Sequence, residues 1–309
     1  MKVFYCDHFV LPLPTGHRFP MAKYALLRQR VLAANQGQFD LQVPEPARDD
    51  EILLAHAADY LHRVITGTLS EREIRVLGFP WSPEMVERSR RSSGATIAAC
   101  RAALADGTAA SLAGGTHHAF AAQAQGFCVF NDSAIAARVM QRETPVKRVV
   151  VIDCDVHQGN GTAAILRHDP SVFTFSLHGQ KNFPFRKERS DLDLELPDGS
   201  GDSAYLEALQ QGLDIALNRS RAELAIYLAG ADPYEGDRLG RLAVSKTGLA
   251  ERDRLVLEHC ARYGIPLAMT MAGGYAQHLE DVVDIHFQSI AQAAAFTSRA
   301  MAITNTSSY

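Results

Sequence analysis

The chain has 309 residues, 47% of them hydrophobic and 21% charged, with a formal net charge of −4. That balance belongs to a folded protein with a large core and excludes a disordered chain; without a basic excess or a dense Lys/Arg run it gives a nucleic-acid partner no electrostatic footing. Five cysteines at unpaired spacings, Cys6, Cys100, Cys128, Cys154 and Cys260, do not make a disulfide framework and suit a reducing compartment.

The amino terminus turns polar too early for a signal peptide, and no apolar stretch approaches the ~20 residues of a membrane span, so a cytoplasmic protein with no membrane attachment is expected. Lys2 to Cys6 reads as a short strand, followed by a loop with Pro12, Pro14 and Gly16. Apolar residues at Met21, Ala25, Leu26 and Val31 predict a helix over 21–34, and two more helices are expected over 50–55 and 58–67. The stretch 72–83, with Gly78, Pro80 and Pro83, is expected to be a surface loop overhanging an active-site mouth. Ser82 as N-cap, Pro83 at the first helical position and Glu84 in the first turn open a long helix to Ala105. Beyond it, helices over 132–141, 159–168, 203–217, 248–263 and 278–301 alternate with apolar runs at 147–152, 172–177, 223–229 and 266–271. Continuous apolar strands alternating with helices predict a parallel sheet covered on both faces, with ligands bound beyond the carboxyl ends of its strands. No repeat or linker divides the chain, so a single domain over 1–309 is expected, with a short flexible tail from residue 302.

Chemistry concentrates where those strands end. Asp155 and His157 follow the run 147–152 directly; residues two apart on an extended strand point the same way, so carboxylate and imidazole would converge on one cation. Asp232 ends the run 223–231 and supplies a third ligand, the protein count of a catalytic zinc site with one open position. An isolated Asp-x-His is commonly a solvated loop or an N-cap. Here Asp153 precedes it, Gly159 and Gly161 follow it, and burying several carboxylates together without a cation is strongly unfavourable. Gly114-Gly115-Thr116-His117-His118 places two imidazoles in a glycine loop; with three ligands already supplied, the pair is assigned to proton transfer rather than ligation. In Ala272-Gly273-Gly274-Tyr275 the glycines allow close backbone approach, and the tyrosine hydroxyl would donate to an oxyanion formed when water attacks a carbonyl. Cys128 and Cys154 read as packing residues, and His8, His17, His56, His62, His168, His259, His278 and His286 as surface or helix-end residues.

These segments, together with Gly126-Phe127-Cys128-Val129-Phe130-Asn131-Asp132, Asp153 to Gly161 and Gly230-Ala231-Asp232-Pro233, resemble the zinc-dependent histone deacetylase family in order and spacing, over residues 8–290. His157 to Gly161, Gly78 to Ser82 and His17 to Met21 look most like its class IV branch and bacterial relatives. The resemblance implies a single-domain, three-layer arginase/deacetylase-like α/β fold, with a mainly parallel central sheet of about eight strands flanked by helices. It implies zinc on Asp155, His157 and Asp232, ligands that Fe2+ or Co2+ would also accept. His118 would be the principal general base and acid, His117 its electrostatic partner, and Tyr275 would polarise the scissile carbonyl. Asp153 would orient His117 and, with Ser176, help hold a structural K+; Gly126, Phe127, Phe183, Leu239, Gly273 and Gly274 would contact substrate in a narrow tunnel.

Two departures stand out. Asn160 replaces the aspartate that many members place beside the second histidine, and 72–83 contains no aspartate to grip a substrate backbone, which implies looser peptide selectivity. The expected activity is hydrolytic removal of acetyl or longer acyl groups from an acyl-lysine protein or peptide. Its rivals are deacetylation of polyamines or other small acylated amines, a non-catalytic acyl-lysine reader, and an arginase-like hydrolase with two manganese ions, which would want further bridging aspartates. The oligomeric state leaves no signature in the sequence.

Overall fold

The computed structural model describes the backbone of residues 1–306 and the side chains of residues 1–297. Its strands are β1 (Lys2–Phe4), β2 (Asp40–Gln42), β3 (Thr108–Ser111), β4 (Val149–Asp153), β5 (Val172–Gly179), β6 (Leu192–Leu196), β7 (Leu224–Leu228) and β8 (Leu267–Thr270). They form one eight-stranded sheet in the order β2-β1-β3-β8-β7-β4-β5-β6. Every strand pair is parallel.

Period-two alternation sorts the strand side chains onto two faces. Val150 and Ile152 of β4 join a core with Tyr227, Met269, Leu209, Leu213, Val256 and Ile285. Val149 and Val151 join the opposite core with Ile226, Leu228, Met85, Ile97, Ile135 and Val139. The first core is roofed by α1 (Ala22–Ala33), α8 (Asp202–Ser220), α9 (Lys246–Arg262) and α10 (Leu279–Thr306); the second by α2 (Asp49–Ile52), α3 (Ala58–Thr66), α5 (Pro83–Asp106) and α6 (Asp132–Glu143). The remaining helices are α4 (Glu71–Leu77) and α7 (Asn160–Leu166). This is the three-layer α/β architecture expected. The tail expected from residue 302 falls on the end of α10 and on residues outside the described ones. Among the described residues no helix is long and apolar enough to cross a membrane.

Two expectations need correction. The stretch 72–83 is not all loop, because α4 runs to Leu77. Ser70 accepts from the Glu73 amide while the Glu73 carboxylate accepts from the Ser70 amide, and Gly78 takes the left-handed conformation that stops the helix (φ 84°). Arg75, Val76, Gly78 and Phe79 nonetheless line the main cavity, so the segment does overhang it. His56 and His286 are buried rather than superficial, while His259 lies in the last turn of α9 as a helix-end residue, though buried. His56 Nε2 accepts the Asn131 amide at 2.8 Å, and burial holds its ring neutral down to about 4.

Candidate active site and metal centre

Three strands end at one place, but the candidate ligands sit beyond the strands rather than on them. β4 stops at Asp153, and the chain bends through 155–157. Convergence of Asp155 and His157 therefore comes from a side-chain-stabilised turn, not from strand geometry: Asp155 Oδ1 accepts the His157 amide at 2.9 Å, and Asp153 Oδ1 accepts the Asp155 amide at 3.1 Å. Asp232 lies four residues past the end of β7, and its Oδ1 accepts the Val156 amide at 2.9 Å, tying the two loops together. Gly273, after β8, donates its amide to Asp155 Oδ2 at 2.7 Å. A side chain at Gly273 would collide with Asp232 and Asp155, which is why the backbone passes here as glycine.

Ligand atoms of Asp155, His157 and Asp232, all buried, lie within 4.8 Å of one another. His157 Nδ1 is 2.9 Å from Asp155 Oδ1 and 3.3 Å from Asp232 Oδ2, and that Asp232 oxygen is buried without a hydrogen-bond partner. Burial, reinforced by Asp155, pushes the Asp232 carboxyl up to about 7. Burial alone would keep the His157 ring neutral, but the adjacent Asp155 and Asp232 carboxylates outweigh it and raise the ring to about 10. The point between these groups thus favours positive charge. An unpartnered carboxylate oxygen, a second carboxylate and an imidazole nitrogen are a fitting donor set for one divalent ion such as zinc.

The histidine loop is pinned from below by Asp132 at the start of α6. Its carboxylate accepts the Gly115 amide at 2.9 Å and the Thr116 amide at 2.7 Å. The first turn of α7 presses on the other side, where Gly161 leaves no room for a side chain against Ala119 and His118. His117 and His118 emerge with ring centroids 4.1 Å apart and different partners. His117 Nδ1 bonds Asp153 Oδ2 at 2.7 Å; burial opposes its charge, but Asp153 and Asp155 prevail and raise it to about 9. His118 Nδ1 meets Asn160 Oδ1 at 2.7 Å. Asn160 donates its amide nitrogen to Gln125 at 2.7 Å, so its oxygen faces the ring, Nδ1 carries the proton, and Nε2 is left as the basic atom. Burial, then His117 and His157, hold His118 well below its usual range.

A cavity of about 590 Å³ opens onto these residues. Gly126, Phe127, Phe183 and Leu239 line it, as do His117, His118, Asp155, His157, Gly273 and Tyr275. The Phe183 ring stands edge-on to His118, centroids 4.9 Å apart. A Cβ on Gly126 would approach His118 to 2.8 Å, so the tunnel wall must be backbone there. Gly274 points elsewhere, toward Val282, Ala231 and His286, and is not a lining residue. Ser176 sits opposite Asp153 in the β4–β5 register, with its hydroxyl bonded to His178 at 2.9 Å. Cys128 and Cys154 are buried, their thiols pushed up by burial.

Sequence reasoning passed over Asp237. Its carboxylate accepts the Tyr275 amide at 2.6 Å and the Leu239 and Gly240 amides at 2.8 and 2.9 Å, so it fastens the loop carrying Leu239 to the segment carrying Tyr275. A carboxylate between Gly236 and Gly240, close after a ligand aspartate, was the available signal.

The histone deacetylase domain family matches residues 17–290. An uncharacterized protein of Picosynechococcus sp. is 44% identical over 286 residues, which is 92% of this chain and 95% of that protein. A histone deacetylase-like amidohydrolase of Pseudomonas aeruginosa is 31% identical over 284 residues, 86% of this chain and 74% of that one. The crystal structure of an HDAC homolog from Aquifex aeolicus shares the fold with a TM-score of 0.82 at 23% identity, covering 95% of this chain and 84% of that one.

Proposed function

The chain belongs to the histone deacetylase family, and on that footing we propose that it is a zinc-dependent amidohydrolase that removes acetyl or longer acyl groups from acyl-lysine side chains. One observation carries the reading: the Asp155, His157 and Asp232 donors close on a single point in the same cavity that His118 and Tyr275 line. A divalent ion held there supplies Lewis-acid polarisation of the acyl carbonyl and makes water acidic enough to attack it.

This chain's residues do the rest. His118 presents Nε2 to take a proton from the attacking water and returns it to the leaving lysine amine. His117, held by Asp153, keeps the charge that favours the oxyanion and keeps its neighbour neutral in the resting state. Tyr275 donates its hydroxyl to that oxyanion; Asp237 holds its backbone in place. Phe127, Phe183, Gly126 and Leu239 hold the acylated side chain extended and exclude solvent. We assign Asp153 and Ser176 to a monovalent cation on the strength of their register alone, and the neutral Asn160 to a class IV-like branch. Five free, buried cysteines support a reducing, cytoplasmic setting.

Tyr275→Phe tests the reading. It should bind one metal ion per chain as before and lose about 10²–10³ in kcat on an acyl-lysine peptide. Unchanged turnover would remove Tyr275 from the chemistry, and turnover confined to acetylpolyamines would move the substrate to the small amines.

A further inference from the structure

We infer that the part of the substrate outside the tunnel is anionic: an acyl-lysine set among acidic residues of a peptide segment, not a cationic polyamine. The inference rests on the hydrolase reading above and concerns only what the mouth recognises. Besides Arg88, which is buried, four cationic side chains from four separate segments line the cavity: Arg18 from the loop before α1, Arg75 from α4, Lys181 from the β5–β6 connection and Arg241 from the segment after β7. All four are exposed. Among the described residues the one carboxylate lining this cavity is Asp155, already engaged at the metal centre.

The cations are poorly neutralised. Arg18 has no ion pair or hydrogen bond with any described residue, and neither has the exposed Arg186 on the loop that carries Lys181. Arg75 meets Glu71 at 3.5 Å with side chains 70% and 95% exposed, a contact worth little in water. Lys181 and Arg241 share a single carboxylate, Asp198, at 3.9 and 3.3 Å. On a chain whose net charge is −4 this is a local reversal of sign, placed where a tethered substrate must lie. Phe185, 87% exposed, and Val76 line the same cavity and offer apolar contact between the charges. The ammonium groups of an acylated polyamine would have to sit among these cations, whereas Asp or Glu side chains flanking an acyl-lysine would pair with them.

The test is a set of acyl-lysine peptides identical except for flanking Asp/Glu, Gln/Ser or Lys/Arg, run beside N-acetylspermidine on the metal-loaded enzyme. At low salt the acidic peptide should exceed the basic one about tenfold in kcat/KM, mostly through KM, and the gap should shrink to about twofold near 0.5 M NaCl. Arg18→Glu combined with Arg241→Glu should invert the ranking. Equal rates across the peptides, or a preference for the basic peptide or for N-acetylspermidine, would overturn the inference. Binding of the same dye-labelled peptides, read by anisotropy, separates the two claims. Tighter binding of the acidic peptide with no turnover of any acyl amide supports the charge inference and defeats the hydrolase reading, whereas turnover with no charge ranking in affinity does the opposite.

Discussion

Two buried charge clusters lie along the same strand, and they treat their charges in opposite ways. Behind β7, Arg252 and Asp253 are fully enclosed and pair with each other: Arg252 Nε donates to Asp253 Oδ1 at 2.9 Å, Tyr227 and Ser289 donate to the same carboxylate at 2.5 Å each, and Arg252 Nη2 has no hydrogen bond but lies 2.8 Å from Asp253 Oδ1. Arg252 also donates to the carbonyl of Gly230, two residues before the candidate ligand Asp232. Past that glycine, Asp155 and Asp232 are as deeply buried, yet only an imidazole stands between them and one Asp232 oxygen has no partner. Depth is the same in both; internal counter-charge is not. The first cluster carries its own counter-charge and needs nothing further; the second is short of positive charge and could hold an ion.

The contrast breaks first under metal removal. Chelation should cost about 10³-fold or more in turnover and, by mass action, about 4 kcal/mol of stability if the ion normally stands at a thousand times its Kd. Calorimetry with metal add-back checks this, and an unmoved Tm would mean the carboxylates hold no structural debt. Next, Arg252→Met strands the Asp253 charge and should cost about 3–5 kcal/mol in urea denaturation, by the same amount with and without metal. A metal-dependent loss would merge the two clusters into one. The smallest effect is the sharpest: Asp232→Asn should weaken metal binding yet stabilise the metal-free protein by about 2 kcal/mol. Because the folded carboxyl is raised to about 7, keeping it ionised costs progressively more between pH 4 and 7, so the gain from Asn should be absent at pH 4 and full above pH 7.

The sheet's interior was plain from sequence because 149–152 and 224–228 are unbroken apolar runs of strand length and 172–177 is interrupted only by Thr174 and Ser176, all buried on both faces. The strands that escaped lack that mark. β2 is Asp-Leu-Gln at an edge, β3 is Thr-Ala-Ala-Ser, buried through small residues, and β6 alternates Leu with Asp and Glu as an edge strand does. α4 carried a legible capping box at Ser70 and Glu73, overridden by the glycine and prolines that follow. At the site, motif order marked the residues the structure gathers, but the cause of their gathering differs: turns after the strands, not the strands, aim Asp155 and His157. Gly274 and Asp237 were hidden because direction and loop fastening are tertiary facts that spacing does not carry.

The sheet order has a consequence for how the molecule comes into being. β8 is the last strand in the chain, yet it sits between β3 and β7 and alone joins the β2-β1-β3 half to the β7-β4-β5-β6 half. A nascent chain lacking residues 267–270 has two half-sheets with exposed edges, and neither can zip to the other until translation has nearly finished. The three candidate ligand residues Asp155, His157 and Asp232 all follow strands of the half that is synthesised without β8, whereas Tyr275 comes after the strand that closes the sheet. On the proposed reading, the residues that would hold the ion and the tyrosine that would assist the chemistry therefore leave the ribosome on opposite sides of the strand that joins the two half-sheets.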